Sequence, residues 1–186
     1  MLDAFAFFNL PRRPWLDAAE LRDEFHRRSA ALHPDAGGDA DAFAQLNAAH
    51  QTLSDPASRL RHLLELESPE ILAQPQQIPP DLAGLFMQIG THRSGLDAFW
   101  KKDAHASSPL TRALLVPEKL ALRVNTARFI AAIKECLARA LGEVRVLDAI
   151  WETEMPASRL TELLYALSFL GKWAGQLRDD LLKLSL

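Results

Sequence analysis

The stretch His33-Pro34-Asp35-Ala36-Gly37-Gly38 separates two amphipathic segments and decides how the first part of the chain folds. Before it, Leu21, Phe25 and Leu32 recur at spacings of four and seven, which is typical of one face of a helix. A proline disfavours helical geometry at the residue before it, so this helix should end where the stretch begins. The pattern predicts a helical hairpin with the His-Pro-Asp tripeptide at its exposed tip.

Both arms of this hairpin begin with residues that are typical of helix starts. Asp17 followed by Glu20 has the spacing of a capping box, and Asp39 or Asp41 can cap the second arm. Pro56 suits the first turn of the leucine-rich helix that comes next. The apolar face of the second arm is formed by Phe43, Leu46, His50 and Leu53. The two arms should therefore pack antiparallel across the glycine loop.

A proline- and glutamine-rich segment at residues 68–80 predicts a linker. We place one domain at residues 1–67 and a second at 81–186. Beyond the linker, helices are predicted from Asp81 to Lys102 and from about Pro117 to Gly142. The last segment has a seam of spacings of three and four, formed by Leu160, Leu163, Leu167, Leu170, Ala174, Leu177, Leu181 and Leu184. Since such a seam needs partner helices, we predict an all-α protein that ends in an antiparallel three-helix bundle.

Composition excludes several classes of function. The chain has 186 residues, is 48% apolar and carries a net charge of -3, so it has no general attraction to nucleic acid or anionic lipid. Its single cysteine, Cys136, rules out a disulfide framework, and the six histidines show no metal-ligand spacing. We expect no metal or other cofactor, no membrane span, no secretory signal and hence a cytoplasmic location.

The hairpin with its His-Pro-Asp tip resembles the J domain of DnaJ-type co-chaperones. Two further stretches are similar to HscB, the J-domain family of iron–sulfur cluster assembly. Phe8-Asn9-Leu10-Pro11 resembles that family's Phe-Gly-Leu-Pro, and residues 47–56 resemble its Asn-x-Ala-x-x-Thr-Leu-x-x-Pro. The similarity implies a J domain at 1–67 joined to a C-terminal helical bundle that binds the cluster scaffold protein.

Two stretches carry the resemblance in the C-terminal part. Leu85-Phe86-Met87 is similar to the family's Phe-Leu-Met, and residues 167–172 are similar to its Leu-Arg-Phe-Leu-Asp-Lys. Four positions depart from the family pattern. Ala36 stands where many J domains have lysine, Gly90 where a leucine is expected, and Thr91 and Ser94 where HscB has acidic residues.

The resemblance implies two sets of binding residues. A heat-shock ATPase of the DnaK/HscA type would be bound by His33, Pro34 and Asp35, with Arg22, Arg27 and Arg28 on the preceding helix. The client, an iron–sulfur scaffold, would be bound by Leu85, Phe86, Met87 and Phe169. Hydrolysis would belong to the partner, so the chain is not expected to be an enzyme.

Three other hypotheses stay open at this stage. The J domain can serve a different client, or the tripeptide can be an inert turn, since Pro, Asp and Gly are common turn residues. A third hypothesis, an enzyme, lacks a Walker loop, a carboxylate pair or a metal motif in the sequence. Apolar residues at helical spacing are also common in cores, and Glu24 can pair with Arg28 within its own helix.

Overall fold

The computed structural model describes residues 2–32, 39–73 and 77–185. These residues form α-helices and one 3₁₀ helix, with no strand among them. The α-helices are α1 (Ala4–Phe8), α2 (Ala18–Leu32), α3 (Ala40–Ser54), α4 (Pro56–Glu67), α5 (Pro80–His105), α6 (Pro109–Asp148), α7 (Trp151–Glu154) and α8 (Ala157–Ser185). The 3₁₀ helix spans Pro69–Ala73. The predicted all-α fold is confirmed.

The predicted helix starts of the first half are present. Asp17 Oδ1 accepts hydrogen bonds from the backbone N–H groups of Ala19 and Glu20, at 2.7 and 3.1 Å. The Asp39 carboxylate accepts from the N–H of Asp41, and Asp55 does the same at the start of α4 with Pro56 in its first turn. Each carboxylate satisfies a backbone donor that the helix itself leaves unpaired.

The residues divide into two compact units, Met1–Gln77 with Ala140–Leu167, and Ile78–Arg139 with Ser168–Leu186. In the first unit, α3 packs against α1, α2 and α4 around a fully buried core. That core contains Phe5, Leu46, Leu53, Leu60, Leu63 and Leu64. The domain boundary predicted at the Pro/Gln segment stays a prediction.

The end of α6 is bonded to the segment between α1 and α2. The buried Asp148 carboxylate accepts hydrogen bonds from the Arg13 guanidinium and, at 2.9 Å, from the backbone N–H of Trp15. The Trp151 indole N–H donates to the carbonyl of Arg12 at 2.9 Å. These bonds connect Asp148 and Trp151, within the segment 140–167, to the N-terminal part of the first compact unit.

In the second unit, Leu96, Phe99 and Leu184 form a buried cluster, with Leu115 and Leu122 packed beside it. The seam of α8 is confirmed by burial, since its residues are buried except for the partly exposed Leu181.

The prediction that a helix starts at about Pro117 is wrong. Helix α6 begins at Pro109, and Pro117 lies inside it. The Ser108 hydroxyl accepts a hydrogen bond from the Thr111 N–H at 3.1 Å, so a serine cap followed by a proline in the first turn starts the helix. Pro117 removes only one backbone donor, and the helix continues through it.

Candidate functional site

The hairpin arms that flank the His-Pro-Asp tripeptide are described, whereas His33, Pro34 and Asp35 themselves lie outside the described residues. Helix α2 ends at Leu32 and α3 starts at Ala40, as the sequence predicts. The Phe25 ring on α2 stacks on the His50 ring of α3 with centroids 4.0 Å apart. Burial lowers the pKa of His50, so this histidine supports the hairpin in its neutral form.

The three arginines predicted to meet the ATPase occupy different environments. Arg28 is mostly buried. Its guanidinium donates to the carbonyls of Phe7 and Phe8, lies 5.2 Å from the centroid of the Phe8 ring and pairs with Glu24. Arg28 therefore connects α2 to the C-terminal end of α1 through hydrogen bonds.

Arg27 and Arg22 point to solvent. The Arg27 side chain is 71% exposed and its Nη2 lies 2.6 Å from the Glu24 carboxylate. Hydrogen bonds from Arg27 and Arg28 lower the pKa of Glu24 to about 2. Arg22 is exposed and forms no ion pair within the described part of the chain. Of the three arginines, Arg22 has the cation most available to a partner.

The turn after α1 explains one feature of the sequence. Asn9 caps the helix in the left-handed conformation with φ of 56°, and its backbone N–H donates to the carbonyls of the preceding turn. Only glycine and, less readily, asparagine adopt this conformation without strain, which accounts for Asn9 at the position where the similar family segment has glycine.

The structure brings two of the predicted client-binding residues together. Phe86 of α5 and Phe169 of α8 both stack on the buried Trp173, with ring centroids 5.5 and 6.0 Å apart. Met87 next to Phe86 is 67% exposed, whereas Leu85 is half-buried. We call Phe86, Met87, Phe169 and Trp173 the aromatic patch. It presents apolar area to solvent at a place where two helices meet.

A cleft of about 410 Å³ adjoins the aromatic patch at Met87. In it, His92 Nε2 lies 2.8 Å from the Thr126 hydroxyl, which itself donates to the carbonyl of Leu122. His92 must therefore be the donor to Thr126, because that hydroxyl has a single proton. Burial lowers the pKa of His92, the negative charge of Asp180 opposes this shift, and Arg128 at the rim of the cleft adds to it.

Three of the four departures from the family pattern, Gly90, Thr91 and Ser94, lie on the exposed side of α5, and Ala36 lies outside the described residues. The Thr91 hydroxyl donates to the carbonyl of Met87 and the Ser94 hydroxyl to that of Gly90, both at 3.1 Å. Both side chains thus bond to their own helix and carry no charge. A Cβ atom added at Gly90 would meet nothing within 4 Å, so packing does not require glycine there.

Two buried polar residues that support the hairpin were not singled out from the sequence. Arg59, 5% exposed, donates to the carbonyls of Pro14 and Leu53 at 3.0 and 2.7 Å. His62 accepts a hydrogen bond from the Ala4 N–H at 3.0 Å and stacks on Phe5. Nothing in their spacing distinguishes them from exposed residues of an amphipathic helix.

The described residues contain no cluster of three His, Cys, Asp or Glu side chains that could hold a metal ion. In the same part of the chain, no helix has the length and apolar character needed to cross a membrane.

No family model matches the sequence. The HscB co-chaperone homolog of Chromobacterium violaceum is 34% identical over 122 residues, covering 60% of this chain and 67% of the relative. The homolog of Pseudoalteromonas atlantica is 31% identical over 133 residues, or 67% of this chain and 73% of the relative. The homolog of Paraburkholderia phymatum is 28% identical over 155 residues, or 78% and 88%.

The solved structure of the chaperone HscB from Vibrio cholerae has the same fold, with a TM-score of 0.54, 22% identity and 96% of both chains covered. Together with the hairpin, these similarities define the class: the chain is a J-domain co-chaperone. More specifically, it belongs to the HscB co-chaperone family.

Proposed function

We propose that this chain binds a DnaK/HscA-type heat-shock ATPase through His33, Pro34 and Asp35, stimulates its ATP hydrolysis and delivers an iron–sulfur cluster scaffold protein as client. The observation that supports this most is the His-Pro-Asp tripeptide between α2 and α3 in a member of the HscB family. Membership of the HscB co-chaperone family supports a role in iron–sulfur cluster assembly. We propose that the protein acts in the cytoplasm.

The chemistry of the tripeptide suits recognition. The Asp35 carboxylate can accept two parallel hydrogen bonds from an arginine of the ATPase, which supplies both attraction and orientation. Pro34 restricts the backbone of the loop, so less conformational entropy is lost when the complex forms. The hydrolytic groups belong to the ATPase, and this chain shifts its equilibrium towards the hydrolysis-competent state.

The aromatic patch supports binding of a client. Aromatic and methionine side chains are enriched at protein interfaces, and Phe86, Met87 and Phe169 are partly or largely exposed. Beside the patch, this chain has the uncharged Thr91 and Ser94 where the similar HscB segment has acidic residues. This difference favours a client whose binding surface differs in charge from the surface that those acidic residues would bind. A J-domain co-chaperone with a different client is therefore the second candidate.

Single-turnover ATP hydrolysis by the DnaK- and HscA-type chaperones of the same organism tests the proposal. We expect this chain to accelerate the HscA-type enzyme more than the DnaK-type enzyme, and a cluster scaffold to increase that acceleration. Preference for the DnaK-type enzyme, with no effect of the scaffold, would instead support a different client. If neither enzyme is accelerated, the tripeptide is an inert turn and the chain a helical adaptor.

Arg22 and Arg28 should respond differently to substitution. Because Arg22 is exposed and unpaired within the described residues, Arg22→Glu should reduce ATPase stimulation about two- to fivefold at low salt, and less at high salt. Arg28→Gln should instead lower the free energy of unfolding by about 1–2 kcal/mol, because it loses its bonds to the carbonyls of Phe7 and Phe8. Urea denaturation and the single-turnover assay separate the two effects.

The exposed Arg61 on α4 provides the matched control, since Arg61→Glu makes the same charge change away from α2. An equal loss of stimulation in Arg22→Glu and Arg61→Glu would mean that net charge alone determines the effect.

Phe169→Ala should weaken binding of a purified cluster scaffold about tenfold, because it removes a partly exposed aromatic side chain from the aromatic patch. Helical content measured by circular dichroism should stay unchanged, since Phe169 is only half-buried. Leu182→Ala on the same helix is the control, because Leu182 is exposed and outside the patch. If titration calorimetry gives equal affinity of the scaffold for wild type and Phe169→Ala, the aromatic patch is not part of the client-binding site.

A further inference from the structure

The first half of α6 presents an apolar face that no described part of the chain covers. Residues at alternating spacings of four and three lie along this face, and all of them are exposed: Leu110, Leu114, Pro117, Ala121 and Val124. A second exposed row runs beside them, formed by Ala113, Leu120, Ala127 and Ala131. We call these two rows the α6 stripe. Leu114 and Val124 are 71% and 66% exposed, so the stripe is an open surface and not a core.

The opposite face of α6 is already used for packing. Leu115 and Leu122 pack on the cluster of Leu96, Phe99 and Leu184, and Ile133 is fully buried. The α6 stripe is thus additional to what the bundle needs. It is also separate from the aromatic patch, which lies on α5 and α8.

Charge distinguishes the α6 stripe from the rest of the chain. Residues 110–131, which span the stripe, carry four basic side chains, Arg112, Lys119, Arg123 and Arg128, and one acidic side chain, Glu118. Glu118 is already paired with Lys102 at 2.8 Å. Within the described residues, Lys119 and Arg123 form no ion pair. A segment of positive charge in a chain of net charge -3 favours an acidic partner.

From these observations we propose that the α6 stripe binds an amphipathic helix of another protein, with apolar residues at spacings of three and four and acidic residues beside them. The alternating spacing of the stripe is that of helix pairs, and its alanines allow a second helix to approach closely. A second copy of this chain fits poorly, because its basic residues would face those of the first copy. A membrane surface is disfavoured because the stripe contains no aromatic anchor residue.

Synthetic peptides of about three heptads test this proposal. One peptide carries Leu and Ala at the apolar positions with Glu on both flanks, and the other carries Lys on the flanks. Fluorescence anisotropy with the full chain should show binding of the Glu peptide only. The affinity should fall at least about tenfold in the double variant Leu114→Glu/Val124→Glu and about threefold in Arg123→Glu. Leu182→Glu, another exposed leucine of the second unit, should leave it unchanged.

Circular dichroism and stimulation of the heat-shock ATPase should be unaffected in the double variant, so a folding defect or failure of the proposed co-chaperone role would be recognised separately. Failure of the Glu peptide to bind, equal binding of both peptides, or full affinity in the double variant would overturn the proposal. Cosedimentation with phosphatidylglycerol vesicles, or a dimer in ultracentrifugation, that depends on Leu114 and Val124 would also overturn it in favour of a membrane or a second copy.

Discussion

Asp35→Asn is expected to abolish stimulation of the heat-shock ATPase while the chain stays folded. Asparagine keeps the size of the side chain but loses the charge and one of the two acceptor oxygens that can meet an arginine. A hydrogen bond to a charged group contributes about 1.5–3 kcal/mol, so affinity for the ATPase should fall on the order of ten- to a hundredfold. Single-turnover hydrolysis at a co-chaperone concentration below saturation measures this loss directly.

Asp39→Asn is the matched control for this experiment. It makes the same change of charge close to the tripeptide, and asparagine caps a helix as well as the aspartate that accepts from the Asp41 N–H. We expect full stimulation from this control. Wild-type stimulation by Asp35→Asn would contradict the co-chaperone mechanism and leave the tripeptide as a turn.

Much of the fold follows from local sequence patterns. The hairpin was predictable because Asp17 and Asp39 cap its arms and because Leu21 and Leu46 are placed on faces that become buried. The seam of α8 was predictable for the same reason, since apolar residues at spacings of three and four share one face of a helix. These features depend on residues close in sequence, where periodicity carries the information.

The error at the start of α6 arises where one local rule competes with another. Pro117 suggested a helix start, yet the Ser108 cap begins α6 earlier, and the chain tolerates one missing backbone donor. The environment of Arg28 was not predictable from the pattern, because it bonds to carbonyls of α1 that are distant in sequence. Periodicity contains no information on such long-range partners.

The candidate site was predictable mainly through family resemblance. The spacing of Phe86 and Phe169 places each on a helix, but nothing in the spacing predicts that both stack on Trp173. The role of the tripeptide likewise depends on the resemblance, because a tight turn needs the same residue types. Arg22 and Arg28 look alike in the sequence, but Arg22 is exposed whereas Arg28 bonds to carbonyls of α1.

Arg59→Leu is expected to lower the free energy of unfolding by about 3 kcal/mol, which is among the largest effects of any single change in the first unit. Arg59 is buried, and its guanidinium donates to the carbonyls of Pro14 and Leu53, which lose this donor when the side chain is replaced. Burial lowers the pKa of Arg59, and the negative charges of the nearby Asp55 and Asp148 oppose that shift.

Urea denaturation followed by circular dichroism measures this loss as a lower midpoint at an unchanged slope. Arg61→Leu on the same helix is the control, since Arg61 is exposed and its loss should cost less than about 0.5 kcal/mol. A buried ion pair can often be replaced by apolar residues without cost, but here the acceptors are backbone carbonyls that stay in place. Equal stability of Arg59→Leu and wild type would therefore mean that water reaches both carbonyls. A loss of unfolding free energy as large as expected would mean that Arg59 stabilises the packing of the segment before α2 against the end of α3. Arg59 would thereby also stabilise the two helices on either side of the tripeptide.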